Sequence, residues 1–141
     1  MKKSNNILIP EIQRLIQQGH MVEFRPHGYS MRPFIEPDRH KVLLKACKHP
    51  QVGMIVLAKI DEHYVLHRIY HIQRNTIILQ GDGNLSGQEQ CTAQDIIGRV
   101  VQLKTIEGKR LRLTRASLWR RLPVAIKRLY LKIYRKLIIL S

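Results

Sequence analysis

The sequence predicts a mainly β domain with a short helix in front and a basic amphipathic helix behind. Three observations carry that reading. From residue 20 to 113, short runs rich in Val, Ile, Leu and Tyr follow one another, and Pro, Gly, Asn or Asp stand between most of them. Before these runs, apolar residues recur at helical spacing and end at a glycine. After them, from Ser117, apolar residues step by three or four with basic residues opposite. At 141 residues, 44% hydrophobic and 25% charged, the chain has the size and composition of one globular domain, which excludes a disordered or collagen-like protein.

In order along the chain, residues 7–18 place Leu8, Ile12, Leu15 and Ile16 on one helical face, with Pro10 in the first turn and Gly19 as C-cap. Residues 1–19 therefore form the N-terminal segment. Strands are expected near 20–25, 41–46, 54–60, 64–72, 76–80 and 96–103. A further strand near 110–113, after the turn at Glu107-Gly108, closes a hairpin on 96–103, so the β body spans 20–113. In the last segment, 114–141, Leu118, Leu122, Ile126, Leu129, Ile133, Leu137 and Leu140 form the stripe, while Arg121, Arg128, Lys132 and Arg135 fall mostly opposite. Pro123 fits a first turn, which leaves Ser117 to Leu122 as a separate turn or a segment before a kink.

Charge is distributed unevenly. The formal net charge is +15, and residues 104–141 hold 12 Lys and Arg against the single acid Glu107, a net of +11. Such a tail calls for an anionic partner. Either the stripe covers the β body with solvated charges outside, or segment 117–140 meets an anionic membrane surface, with Trp119, Tyr130 and Tyr134 at headgroup level, or, less favoured, nucleic acid. Cys47 and Cys91 lack CxxC or Cys/His spacing, which argues against a zinc site and leaves room for one disulfide. No cofactor or metal is expected. No run of 18 uncharged apolar residues exists, and the start is too short for a signal-peptide core, so neither a transmembrane helix nor a signal peptide is expected and the location is cytoplasmic or peripheral to a membrane.

Three clusters look chemical: Gly28-Tyr29-Ser30-Met31-Arg32-Pro33, Leu66-His67-Arg68-Ile69 and Gln80-Gly81-Asp82-Gly83-Asn84. A serine hydroxyl is a poor nucleophile until a base takes its proton, and the base works best when a third group fixes its tautomer. Ser30, His67 and Asp82 have the residue types for those roles. Each also has an ordinary explanation, as a turn hydroxyl, a half-buried strand histidine and a hairpin turn. Arg68 follows His67 directly and, on a strand, points to the other face, which suits a structural pairing with a carboxylate. The other six histidines read as surface or turn residues.

Over residues 22–101 the arrangement resembles the S24/S26 serine peptidases, and within them the type I signal peptidases. Val22-Glu23-Phe24-Arg25-Pro26 followed by Gly28-x-Ser30-Met31-x-Pro33 is similar to the strand and nucleophile motif, with Ser30 at the nucleophile position. Asp38-Arg39-His40-Lys41-Val42 is similar to the strand that follows. Val52-Gly53-Met54-Ile55-Val56 resembles the family's V-G-D-I-V with Met54 in place of Asp, and Ile97-Gly98-Arg99-Val100-Val101 its closing strand. Val65-Leu66-His67-Arg68-Ile69 matches the H-R-[IV] motif of the archaeal and endoplasmic-reticulum type, which implies His67 as base, with Lys59 the runner-up. Gln80-Gly81-Asp82-Gly83-Asn84 resembles K-G-D-N-N and implies Asp82 as the orienting acid. The family's second aspartate falls at Gln88, with Glu89 beside it.

The resemblance implies a signal-peptidase-like catalytic β-fold and a serine endopeptidase cleaving signal or leader peptides through an acyl-enzyme. Gly28 would line the substrate turn, Met31 would form an apolar wall, and the Ser30 N–H would meet the oxyanion. Two other readings stand beside it. Related self-cleaving repressor domains would use the basic tail on nucleic acid, and a non-catalytic relative would only grip peptides.

Overall fold

The computed structural model describes residues 5–140, and side chains from 8 to 139. Residues 1–4 and 141 of the two predicted terminal segments, and the Leu140 side chain, lie outside that range. The chain is mainly β, as its sequence predicts: the described residues form eight antiparallel strands in one sheet that curls into a half-barrel, with three α-helices.

Helix α1 (Asn5–Gln17) starts earlier than the periodicity suggests, so Pro10 lies inside it and not in the first turn. Its end matches the expectation. Gly19 takes φ +93, its N–H donates to the Ile16 carbonyl at 3.0 Å, and the His20 N–H donates to Leu15 at 3.0 Å, the paired bonds of a left-handed glycine cap. The face of α1 formed by Ile9, Ile12 and Ile16 is buried with Phe24, Val42, Leu44, Leu57 and Val100. Each fully buried aliphatic side chain there stabilises the fold by about 1.5–3 kcal/mol.

The strands are β1 (Val22–Phe24), β2 (His40–Lys45), β3 (Ile55–Ile60), β4 (His63–Gln73), β5 (Thr76–Gln80), β6 (Glu89–Cys91), β7 (Ile96–Thr105) and β8 (Arg110–Leu111). Their order across the sheet is β1-β2-β7-β3-β4-β5-β6, and β8 pairs β7 at Leu103↔Leu111. The hairpin expected near 110–113 is present, though shorter. β6 is an addition to the predicted set. Residues alternate between faces along each strand, so β3 sends Ile55 and Leu57 to the core under α1, and Val56 and Ala58 to a second core with Ile69, Ile77, Leu79 and Cys91. Cys47 and Cys91 are both free, which removes the disulfide option.

The tail divides at Pro123 into α2 (Ser117–Arg121) and α3 (Val124–Leu140). Trp119 and Leu131 are buried, and with Ala116 they pack against Phe34, Leu85 and Leu122. Trp119 therefore belongs to the body of the protein and is not available at a headgroup surface. Among the described residues no helix is long and apolar enough to cross a membrane.

Candidate active site

Ser30 sits in the tight segment after β1, where Gly28 adopts φ +77 and the Arg32 N–H bonds the Tyr29 carbonyl at 3.1 Å. The Ser30 carbonyl accepts the Gly83 N–H at 2.8 Å, so the turn after β5 holds the serine's backbone in place. His67 lies on β4, paired with Val56 and 7% exposed. Its Nε2 is 3.0 Å from Ser30 Oγ, across 37 residues of sequence. The serine and the histidine that the sequence singles out thus come together.

The acid on the far side of the imidazole is Glu89, not Asp82. His67 Nδ1 and Glu89 Oε1 are hydrogen-bonded. Strand register explains it. Ile69 pairs with Leu79 and Leu79 with Glu89, so these three share a face. His67, two residues before Ile69, lies on that face too. β5 ends at Gln80, opposite Arg68, and the next residue, which lies against His67, is Gly81, with no side chain to intervene.

Asp82 faces the other way. Both of its carboxylate oxygens accept from Arg68, at 2.8–3.0 Å, and Oδ1 also accepts from the Tyr70 hydroxyl at 2.8 Å. The second arm of Arg68 donates to the carbonyls of Gly53 and Thr114, each at 2.8 Å. Trp119 Nε1 donates to the Asp82 carbonyl at 3.0 Å. Burial, together with the adjacent Asp82 charge, pushes the Tyr70 hydroxyl well above its ordinary range, so it stays a donor. The expected pairing of Arg68 with a carboxylate is present, and its partner is the acid expected on the histidine. Lys59 is exposed, with Nζ 5.9 Å from the Tyr64 ring, while the partner of Ser30 Oγ is His67.

Two small features complete the geometry. A Cβ on Gly81 would stand 2.5 Å from the Ser30 carbonyl oxygen, 2.9 Å from its Cβ and 3.1 Å from His67 Nε2. Only glycine fits between the serine and the histidine. Gln88, at the position of the family's second aspartate, donates to Gln80 Oε1 at 3.0 Å, and Gln80 in turn donates to the Asn84 carbonyl at 2.8 Å. These bonds brace the turn that delivers Glu89.

A cleft of about 210 Å³ opens beside Ser30 and His67, lined by His27, Gly28, Met31, Ile35, Tyr64 and Leu66. Gly28 and Met31, the residues the sequence reading assigns to substrate, both line this cleft. Met31 is 4% exposed and also belongs to the core, so the cleft's apolar wall is rigid. β5 covers β4 only from Arg68 onward, so the stretch 63–67 has one backbone edge unpaired by β5, and Tyr64 to His67 of it line this cleft. The arrangement lets His67 take a proton from Ser30 while Glu89 holds the imidazole and stabilises its cation. Among the described residues no group of three His, Cys, Asp or Glu side chains is placed to hold a metal ion. Comparison with protein-family models, with curated proteins and with solved structures finds no match to this chain.

Proposed function

We propose that this protein is a serine endopeptidase, of the signal-peptidase type that its motifs resemble, in which Ser30 is the nucleophile, His67 the general base and Glu89 the acid that orients it. The single observation behind this reading is the run of contacts from Ser30 Oγ to His67 Nε2 at 3.0 Å and from His67 Nδ1 to Glu89. A bare serine does not attack an amide at neutral pH, and a paired imidazole removes that obstacle.

In the reaction, Ser30 Oγ attacks the scissile carbonyl as its proton passes to His67 Nε2. The tetrahedral oxyanion meets the Ser30 N–H, and Glu89 balances the imidazolium. His67 then gives its proton to the leaving amine, which departs and leaves an ester on Ser30. Water, deprotonated by His67, attacks that ester and releases the acid product and the free serine. The peptide lies extended against the open edge of β4 at 63–67, where main-chain hydrogen bonds supply affinity and the adjoining cleft selects side chains. By resemblance the substrates are signal or leader peptides with small residues before the cut.

The test is incubation of the full chain with a library of signal-like and leader peptides, read by mass spectrometry, beside Ser30→Ala and His67→Ala. Cuts that disappear in both variants support the reading, with losses of about four orders of magnitude. Peptides retained but never cut by the wild type would sink it and favour a binding-only protein.

A further inference from the structure

We propose that α3 seats this protein on an anionic lipid bilayer, with one of its faces sunk into the headgroup boundary. Helix α3 has three faces where an ordinary surface helix has two. One, made by Lys127, Leu131, Tyr134 and Ile138, turns toward the body: Lys127 and Leu131 are buried, and the Tyr134 hydroxyl donates to Glu36 at 3.1 Å. A second face, roughly a third of a turn away at 100° per residue, carries Ile126, Leu129, Tyr130, Ile133 and Leu137. These side chains are 51–61% exposed. The third face carries Arg128, Lys132, Arg135 and Lys136, none of which has an acidic partner among the described residues.

The exposed apolar surface is concentrated here. Of eleven large exposed apolar side chains among the described residues, eight lie between Leu118 and Ile139. Folding has therefore not used the stripe to cover the β body, since that task falls to Trp119 and Leu131. Something outside the chain must satisfy an apolar face and a basic face set side by side on one helix.

A bilayer with acidic lipids matches both, because acyl chains accept the apolar residues while the phosphates meet the lysines and arginines. Nucleic acid would engage the basic face and leave the apolar one in water. A second copy would bring two tails, each carrying a net charge of +11 over residues 104–141, against one another. The basic face also reaches the body: Arg128 and Arg135, with the inward-facing Leu131, share a cleft of about 440 Å³ with Tyr29, Arg32 and the turn at 83–86.

The experiment is flotation of the full chain, carrying Ser30→Ala, with vesicles of phosphatidylcholine alone or mixed with phosphatidylglycerol. Using that variant separates docking from peptidase activity. The expected result is retention on the mixed vesicles and little on the neutral ones. Replacing Ile126, Ile133 and Leu137 together with Ser should weaken it about a hundredfold or more, because each contributes buried apolar area. Lys132→Glu with Lys136→Glu should weaken it about tenfold or more, with circular dichroism melts unchanged for both sets. Equal retention on both vesicle types, or none on either, overturns the proposal. So does binding unaltered by the serine set, retention on DNA in place of vesicles, or a dimer in light scattering that the serine set dissolves.

Discussion

His67 and Arg68 are consecutive residues on one strand, and each meets a carboxylate, but the two pairs differ in nearly everything else. His67 faces the cleft and holds Glu89, whose side chain is 17% exposed; Arg68 faces the opposite side and holds Asp82, whose side chain is fully buried. The second pair spends its hydrogen bonds on architecture, joining Gly53, Tyr70, Thr114 and Trp119. The first leaves one imidazole nitrogen directed at a serine. What an acid does here is decided by which face its strand or turn presents, not by its distance along the chain from the base.

The largest test of that contrast is to exchange the roles experimentally. Glu89→Gln should lower kcat/KM by about three to four orders of magnitude while leaving the melting temperature nearly unchanged, since only the partner of the imidazole is altered. Asp82→Ala should do the reverse. It leaves the buried Arg68 guanidinium unpaired, a loss of about 3–5 kcal/mol in denaturant unfolding, and any lost activity should follow the fraction unfolded. If Asp82→Ala proved as stable as wild type and inactive, the assignment of the two acids would be reversed.

A smaller effect is expected where the two sides meet. Gly81→Ala forces a methyl group against the Ser30 backbone and His67 Nε2, and overpacking of this kind costs about 1–3 kcal/mol. The serine and histidine should separate, so kcat should fall more than KM rises. A Gly81→Ala variant with wild-type kcat would show that the close approach is not needed.

The smallest effect concerns acid. Burial disfavours charge on Glu36, but the two-pronged Arg32 contact outweighs it and holds the carboxyl below its ordinary value. Burial depresses His40, whose Nδ1 accepts the Glu36 N–H at 2.9 Å. In both cases the unfolded chain binds protons more readily than the folded one. Stability should therefore fall as pH drops below about 6.5 for His40 and about 4.5 for Glu36. Glu36→Gln should cost about 1–2 kcal/mol at neutral pH and flatten the lower part of that slope, read by thermal melts at stepped pH.

These contrasts also explain what the sequence could disclose. The longer strands are legible because Val, Ile and Leu fill them, and the α1 end because only a glycine caps it so well. β6 is not, because Glu89-Gln90-Cys91 buries one residue and shows no alternation. Without that strand in view, Glu89 reads as a neighbour of a missing acid, and Asp82, in an Asp-Gly turn of the right motif, takes its place. The available signal was Arg68. A strand arginine beside the base points to the other face and needs its own carboxylate, so the acid in the adjoining turn is claimed before the histidine can use it. In the tail, periodicity found the stripe but not which part of it folds inward, because Trp119 is anchored by a carbonyl 37 residues away in sequence.

The Trp119 bond to Asp82 has a consequence for the order of assembly in the cell. A ribosome delivers the serine and histidine segments well before residue 119, yet the turn that holds Ser30 through Gly83 is itself tied to the indole and to the Thr114 carbonyl. Domains fold as units, N-terminal parts emerging first. This one cannot brace its Ser30 turn fully until residue 119 has been made. The nascent polypeptide thus lacks a braced Ser30–His67 pair until residue 119 has emerged, and α2, through its indole, is the helix that completes it.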